Sequence, residues 1–146
     1  MLPADAPPIE IETRFGVFRA NRRDVVVLID PLPGFEGCRR YVVLSSAAIA
    51  PFTCLQGLEG ARPSFLAVSP HVAEPAYQAA IGSGDRLRIG AKADAPLLWL
   101  ALVRLESDRA FVNLRAPLVI NPERMAGVQL LDGDSDYPVD APLPLA

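Results

Sequence analysis

Proline and glycine interrupt this chain so often that long helices are excluded over most of its length. The 146 residues include 15 prolines and 10 glycines, with short apolar runs between them. Proline lacks the amide hydrogen that a helix interior requires, and glycine favours turns. Short apolar runs separated by such residues are typical of proteins in which many short strands alternate with tight turns. The spacing therefore predicts an all-β protein.

The residue types within the apolar runs also favour strands over helices. Residues 25–29 are Val-Val-Val-Leu-Ile, and β-branched side chains fit a pleated sheet better than a helix. Residues 97–103 are uniformly apolar, so they form either a strand covered on both faces or a buried helical turn. Pro96 before this run and the turn-like residues 106–109 behind it favour the strand. The other predicted strands cover residues 9–12, 15–18, 40–44, 52–56, 65–68, 86–89, 111–114, 118–121 and 128–131.

The length of the chain suits one domain, residues 1–146, with a single hydrophobic core. Residues 73–81 are a possible short helix, with Pro75 in the first turn. Flexible tails are expected at residues 1–8 and 132–146. About ten short strands would leave unpaired edges, and closure into a barrel removes them. We therefore predict an all-β, mostly antiparallel, β-barrel-like single domain with at most one short helix, present as a monomer.

Charge and cysteine content limit the classes of partner and the compartment. The formal net charge of −3 does not supply the basic stripe that direct nucleic-acid binding needs. Cys38 and Cys54 form neither a disulfide framework nor a metal-ligand spacing, which is consistent with a reducing cytosol. The N-terminal residues have no basic start and no continuous apolar stretch, and residues 97–103 are too short to span a bilayer. These features predict a soluble cytoplasmic protein without membrane or direct nucleic-acid partners.

The motifs of catalysis and cofactor binding do not occur in this sequence. There is no nucleophile elbow, phosphate-binding glycine loop, dinucleotide fingerprint or paired-histidine metal motif. His71 is the single histidine, and nothing near it in sequence supplies a nucleophile. Residues 132–136 resemble a calcium loop only faintly, because the downstream glutamate is missing. We therefore expect no enzymatic activity, no catalytic residue, no metal site and no cofactor.

Four polar or aromatic residues at strand ends and turns are candidates for contacting a partner. Residues 32–36 are Leu-Pro-Gly-Phe-Glu, a turn sequence followed by a strand. Phe35 either closes the end of the barrel or, together with Glu36, contacts a partner from an exposed edge. Gln56 and Asn121 each end an apolar strand, where an amide can cap backbone groups internally or meet a partner's backbone.

The order and spacing of several segments resemble the flagellar assembly factor FliW family. The similarity extends over residues 9–137, nearly the whole chain. The segments that carry it are LPGFE at residues 32–36, YVVL at 41–44, PF at 51–52, LQ at 55–56, FLAVSP at 65–70, NLRAPLVIN at 113–121 and GVQLL at 127–131.

This resemblance implies a barrel-like fold and a function in protein binding. Members of the family are cytoplasmic factors that bind flagellin and also the RNA-binding regulator CsrA. While flagellin accumulates in the cell, it occupies the factor. After flagellin has been exported, the freed factor binds CsrA and relieves repression of flagellin translation. Phe35, Glu36, Gln56 and Asn121 are then the expected partner-binding residues. The alternative hypothesis is a small-ligand-binding barrel whose cavity is lined by Trp99, Phe111 and Phe65.

Overall fold

The computed structural model describes residues 8–131 and 134–143, and most of its regular structure is β-strand. Most predicted strands are confirmed, with bounds that shift by a few residues. Two single-turn 3-10 helices, Arg22–Asp24 and Ala47–Ile49, precede β3 and β5. The strands are β1 Ile9–Thr13, β2 Gly16–Ala20, β3 Val25–Leu28, β4 Arg40–Leu44, β5 Thr53–Gly57, β6 Ser64–Val68, β7 Leu98–Glu106, β8 Arg109–Val112, β9 Leu118–Asn121, β10 Ala126–Gln129 and β11 Ala141–Leu143.

Seven of these strands form a closed ring, which confirms the predicted barrel-like fold. The order around the ring is β7-β6-β5-β4-β3-β10-β9, and β9 pairs back with β7. Every neighbouring pair is antiparallel except β3 and β10, which run parallel. Closure leaves no free edge along the paired parts of the ring, the usual remedy for exposed strands.

Strand β7 has different neighbours along its length. Residues 98–100 pair with β9 and close the ring, whereas residues 103–106 pair with β8. Strand β8 in turn pairs with β11, so these two strands extend away from the ring. On its other edge, β7 pairs with β6 over residues 101–103 only.

The interior of the ring is filled by side chains from facing strands. Leu100 is 4% exposed there, and the adjacent Ala101 is fully buried on the other face of β7. The uniformly apolar run is therefore a strand covered on both faces at its centre, as the sequence predicted. The interior cluster consists of Val26, Leu28, Leu32, Cys38, Tyr41, Leu55, Ala67, Leu100, Leu118 and Ile120.

The hairpin formed by β1 and β2 lies against the outside of the ring. Phe18 of this hairpin packs with Val42, Leu44 and Cys54. Because Tyr41 faces the ring interior while Val42 faces the hairpin, the run of apolar residues in β4 follows from two covered faces.

The helical segments differ from those predicted. Instead of one helix over residues 73–81, there are two short helices, α1 Pro70–Ala73 and α2 Ser83–Arg88. Pro70, not Pro75, occupies the first turn of a helix. Glu74 has an extended backbone and ends α1, since the residue before a proline is disfavoured in helical conformation. Within the described residues, no helix is long and apolar enough to cross a membrane.

The predicted strand at residues 86–89 is wrong, because most of this segment belongs to α2. Leu87 is 81% exposed and Ile89 is 1% exposed, so the two side chains do not share a face. Helix α2 ends in a Schellman motif: the Gly90 amide donates to the Leu87 carbonyl and the Ala91 amide to the Arg86 carbonyl. Gly90 adopts the positive φ of +68° that this motif requires.

The predicted C-terminal tail contains a strand, β11, which pairs with β8. Ala141 and Leu143 are buried, while Pro142 between them is exposed. Proline is tolerated at this position because β11 lies at the edge of the sheet, where a missing amide hydrogen removes no ladder bond. Residues 134–140 of the predicted tail are also held against the protein: the ring of Tyr137 packs with that of Tyr77, and the Leu114 amide donates to the Pro138 carbonyl. Residues 1–7, 132–133 and 144–146 of the predicted tails lie outside the described residues.

One prediction concerns a buried hydroxyl in the ring interior. Tyr41 Oη makes no hydrogen bond with another described residue, and the neighbouring Cys38 thiol donates to the Arg40 carbonyl. Tyr41→Phe is therefore expected to raise the free energy of unfolding by about 1 kcal/mol at neutral pH. Chemical denaturation measures this difference, and a clear loss of stability would contradict it.

The same hydroxyl predicts a pH dependence. Burial, with a smaller contribution from Cys38, raises the pKa of Tyr41 above its ordinary value of 10.0. The stabilisation that this shift represents is complete below pH 10 and is lost as the pH rises above it, because the unfolded tyrosine ionises first. We therefore expect the advantage of Tyr41→Phe over wild type to grow above pH 10 in a series of melting curves.

Candidate protein-binding surfaces

The Leu-Pro-Gly-Phe segment forms a tight turn between β3 and β4. The Phe35 amide donates to the Leu32 carbonyl over 2.9 Å, which closes a four-residue turn. Pro33 occupies the second position, and Gly34 occupies the third with a φ of +86°. This arrangement has the residue pattern of a type II turn, in which the third residue needs a positive φ. The next turn follows at once, since the Cys38 amide donates to the Phe35 carbonyl.

Phe35 is half-buried, and it contacts the interior cluster from the end of the ring. Its ring meets that of Phe65 edge to face, with 5.1 Å between the ring centroids. Such a contact fixes the orientation of both rings. One part of Phe35 thus contributes to packing, and the remaining part is accessible at the surface.

Glu36 is exposed, and its carboxylate bonds within the turn. The Gly34 amide donates to Glu36 Oε1 over 3.1 Å. This hydrogen bond leaves the second carboxylate oxygen available to a partner, because an ionised carboxylate accepts several hydrogen bonds.

Gln56 is buried on β5 and bonds to the loop that joins β5 to β6. Its side-chain nitrogen donates to the carbonyls of Gly57 and Arg62 over 3.0 and 3.1 Å. Its oxygen accepts a hydrogen bond from the Ser64 hydroxyl. Both ends of the amide are therefore engaged inside the protein, which supports the internal capping interpretation.

Asn121 is also buried, at the end of β9. Its side-chain nitrogen donates to the Ile89 carbonyl over 3.0 Å, and its oxygen accepts from the Glu123 amide over 3.1 Å. These bonds join the end of α2 to the turn between β9 and β10. The Asn121 side chain thus stabilises the packing of these two segments, and its predicted contact with a partner stays a prediction.

Phe35 forms part of an open cleft of about 590 Å³, here called the phenylalanine cleft. Two arginine side chains lie over its aromatic rings, Arg14 at 4.8 Å from Phe15 and Arg104 at 4.7 Å from Phe111. Stacking of this kind orients the guanidinium groups before any partner arrives. The residues that define the cleft are Arg14, Phe15, Phe35, Phe65, Arg104 and Phe111.

A second open groove, of about 940 Å³, runs between the N-terminal hairpin and the ring. We call it the hairpin groove. Gln56 contributes to its lining, whereas Phe35 belongs to the phenylalanine cleft. The two predicted residues thus lie on separate surfaces. The hairpin groove is defined by Ile9, Glu12, Val27, Arg40, Gln56 and Arg62.

The residues proposed to line one ligand cavity do not do so together. Phe65 and Phe111 both line the phenylalanine cleft. Trp99 instead packs between two other clusters, one with Val112 and one with Ile89. The interior of the ring is occupied by side chains, so this arrangement does not favour the ligand-binding alternative.

The arginines of the phenylalanine cleft were not among the site residues predicted from the sequence. Arg14 and Arg104 come from the first hairpin and from β7, and they are far apart in sequence. The only local signal was Arg14 directly before Phe15.

His71 is exposed and lies edge-on to Tyr77. Across residues 8–131 and 134–143, no group of three or more His, Cys, Asp or Glu side chains could hold a metal ion.

Comparison with known proteins gives a consistent result over most of the chain. Residues 10–143 match the family described as FliW protein. A flagellar assembly factor FliW from Natranaerobius thermophilus is 33% identical over 132 residues, which cover 88% of this chain and 87% of that protein. One from Syntrophus aciditrophicus is 28% identical over 129 residues, covering 87% and 82%.

A solved structure agrees with the fold. A crystal structure of a flagellar assembly factor FliW superposes with a TM-score of 0.79 at 22% identity, covering 90% of this chain and 94% of that one. At this identity the match supports the architecture described above. The family match over residues 10–143 and the relative that is 33% identical show that this chain belongs to the FliW protein family.

Proposed function

We propose that this protein is a flagellar assembly factor that binds flagellin. It also binds a second partner, the translational regulator CsrA, in competition with flagellin. Through the competition between these two partners it controls flagellin synthesis. The observation that carries the proposal is the family match over residues 10–143. The curated relatives named above are flagellar assembly factors, and they align over most of their own length.

The surface chemistry supports a function in protein binding. Phenylalanine and arginine side chains meet in the phenylalanine cleft, and aromatic residues and arginine are enriched at the centres of protein interfaces. The described part of the protein also offers a second surface, the hairpin groove, made from a different set of residues. Two separate surfaces on one rigid ring are what a protein with two partners requires.

Control by two partners has a thermodynamic signature that can be measured. If flagellin lowers the affinity for CsrA by some factor, CsrA must lower the affinity for flagellin by the same factor. Isothermal titration of each partner, with and without the other at saturation, tests this equality. Failure of the purified protein to bind the flagellin of its own host would remove the proposed function.

We predict that the double variant Phe35→Ala with Glu36→Ala weakens flagellin binding by about tenfold or more. Phe35 supplies an apolar surface at the end of the ring, and Glu36 supplies an exposed carboxylate beside it. Titration against purified flagellin gives the dissociation constants. The matched control is Val72→Ala with Glu74→Ala, another apolar and acidic pair, located on and just after α1.

Because Phe35 also packs against Phe65, the double variant must be checked for folding by its melting curve. Glu36→Lys provides a second variant that leaves the packing of Phe35 intact. If both variants stay folded and bind flagellin as tightly as wild type, the turn is a structural feature alone.

A further inference from the structure

The phenylalanine cleft lies where the sheet divides. Strand β6 begins at Ser64, but it pairs with β7 only over residues 66–68. Strand β7 continues to Glu106 in company with β8, away from β6. The two strands therefore separate beyond the pair Leu66 and Val103, and the cleft occupies the opening.

The main chain of β7 presents hydrogen-bonding groups to this opening. The Leu102 carbonyl accepts from the Asn113 amide, on the side of β8. Hydrogen-bonding direction alternates along a strand, so the main-chain groups of Val103 and Leu105 point to the side of β6. Val103 lies opposite Leu66. In the described residues the pairing stops there, so the amide and carbonyl of Leu105 form a short free edge.

Apolar side chains surround that edge. Leu105 is 42% exposed, and Val139 on the neighbouring segment is also exposed. Both line the cleft together with the phenylalanines. Exposed apolar groups beside half-buried aromatic rings are typical of surfaces that a partner covers.

The charge at the margins of the cleft is positive, although the whole chain is negative. Arg14 and Arg104 line the cleft, and none of its described lining residues carries a carboxylate. Glu106 pairs with Arg104 from outside this lining, while Arg109 also lies over Phe111. In a protein of net charge −3, such a local excess of arginine selects for an acidic partner.

We propose that the phenylalanine cleft binds an extended segment of a partner protein in which apolar residues alternate with carboxylates. The segment adds to the free edge of β7 by pairing its main chain with Leu105. Its apolar side chains enter between the phenylalanine rings, and its carboxylates meet the arginines at the margins. This is recognition by strand addition, in which the main chain provides affinity and the side chains provide specificity.

The identity of the partner rests on the proposed function, since flagellin is the protein expected to supply this segment. The chemistry of the cleft can be tested without flagellin. A short synthetic peptide in which valine alternates with glutamate serves as the first probe, and the matching valine and lysine peptide serves as its control. We expect the acidic peptide to bind and the basic peptide not to bind, as measured by chemical-shift changes that include the Leu105 amide.

Leu105→Glu is the decisive variant, because it places a carboxylate at the free edge without emptying the core. It is expected to weaken binding of both the acidic peptide and flagellin by about tenfold or more. The matched control is Leu98→Glu, at the other end of the same strand and equally exposed at 41%. We expect this control to bind as wild type does, within about twofold.

A second pair of variants tests the electrostatic part. Arg14→Glu should weaken binding severalfold and reduce its dependence on salt, whereas Arg19→Glu, also exposed on the hairpin, should change neither. Melting curves confirm that all four variants are folded.

The outcomes separate the two proposals. Flagellin that binds wild type and Leu105→Glu equally would overturn the cleft and leave the proposed function standing. If the acidic peptide binds wild type but not Leu105→Glu, and flagellin does not bind at all, the result would support the docking site and exclude flagellin as its partner. An acidic peptide that fails to bind, or self-association of wild type that Leu105→Glu abolishes, would overturn the docking site.

Discussion

Leu100→Ala is expected to lower the free energy of unfolding by about 2–5 kcal/mol. Leu100 is 4% exposed inside the ring, and it lies opposite Leu118 where β7 meets β9. Truncation removes apolar contacts and leaves a cavity that neighbouring strands cannot close without losing their hydrogen-bonded register. Because this residue belongs to the pair that closes the ring, we expect a cooperative loss of stability in urea denaturation.

Leu98→Ala provides the matched control on the same strand. Leu98 is 41% exposed, and truncation of an exposed side chain away from special features changes stability by only about 0.5 kcal/mol. Equal stability of Leu100→Ala and Leu98→Ala would mean that β7 does not fill the ring as described.

Gly57→Ala is expected to destabilise the protein by about 1–3 kcal/mol or more. A Cβ atom at this position would lie 2.6 Å from Pro63 Cδ and 2.9 Å from Cys38 Sγ. Neither neighbour can retreat easily, because Pro63 is rigid and its carbonyl accepts from the Gly57 amide over 2.7 Å. Cys38 is buried in the interior cluster. The cost therefore comes from steric overlap.

The control for this variant is Gly84→Ala, in helix α2. A Cβ atom there meets nothing within 4 Å, and alanine favours a helix over glycine by about 0.5–1 kcal/mol. Thermal melts of the two variants should shift in opposite directions. If Gly57→Ala had the same melting temperature as wild type, the loop after β5 would have to be able to move away from the added Cβ atom.

Residue patterns predicted those strands whose burial follows from their own sequence. The valine-rich residues 25–29 and the apolar residues 97–103 became β3 and β7, because β-branched and apolar runs between turn residues have few other stable conformations. The turn at Leu32 to Phe35 was likewise predictable, since its proline and glycine each fix a backbone requirement.

Segments that depend on distant partners were not predictable in this way. Residues 86–89 alternate as a strand does, yet they continue a helix whose end is held by Asn121 from another part of the chain. Ala141–Leu143 forms a strand only because β8 offers it an edge. In both cases the deciding contact is made by residues remote in sequence, which a local pattern does not contain.

The candidate site likewise contains residues that local sequence could predict and others that depend on contacts between distant parts of the chain. Phe35 could be singled out because its turn is visible in the sequence. The phenylalanine cleft could not, because it exists where β6 and β7 separate and brings Arg14 beside residues from β6 to β8. Gln56 and Asn121 satisfy internal backbone groups, a role that becomes visible only when their hydrogen-bond partners are known.

The parallel pairing of β3 with β10 has a consequence for how this protein is made. Val27 meets Ala126 across that ladder, so β3 leaves the ribosome long before the strand that pairs with it and completes the ring. Until then β3 carries an open edge that invites pairing with other chains. Strands β3 and β10 both lie within residues 8–131. A nascent chain stopped before β10 lacks the strand that covers the edge of β3, and it would therefore be exposed to aggregation during synthesis.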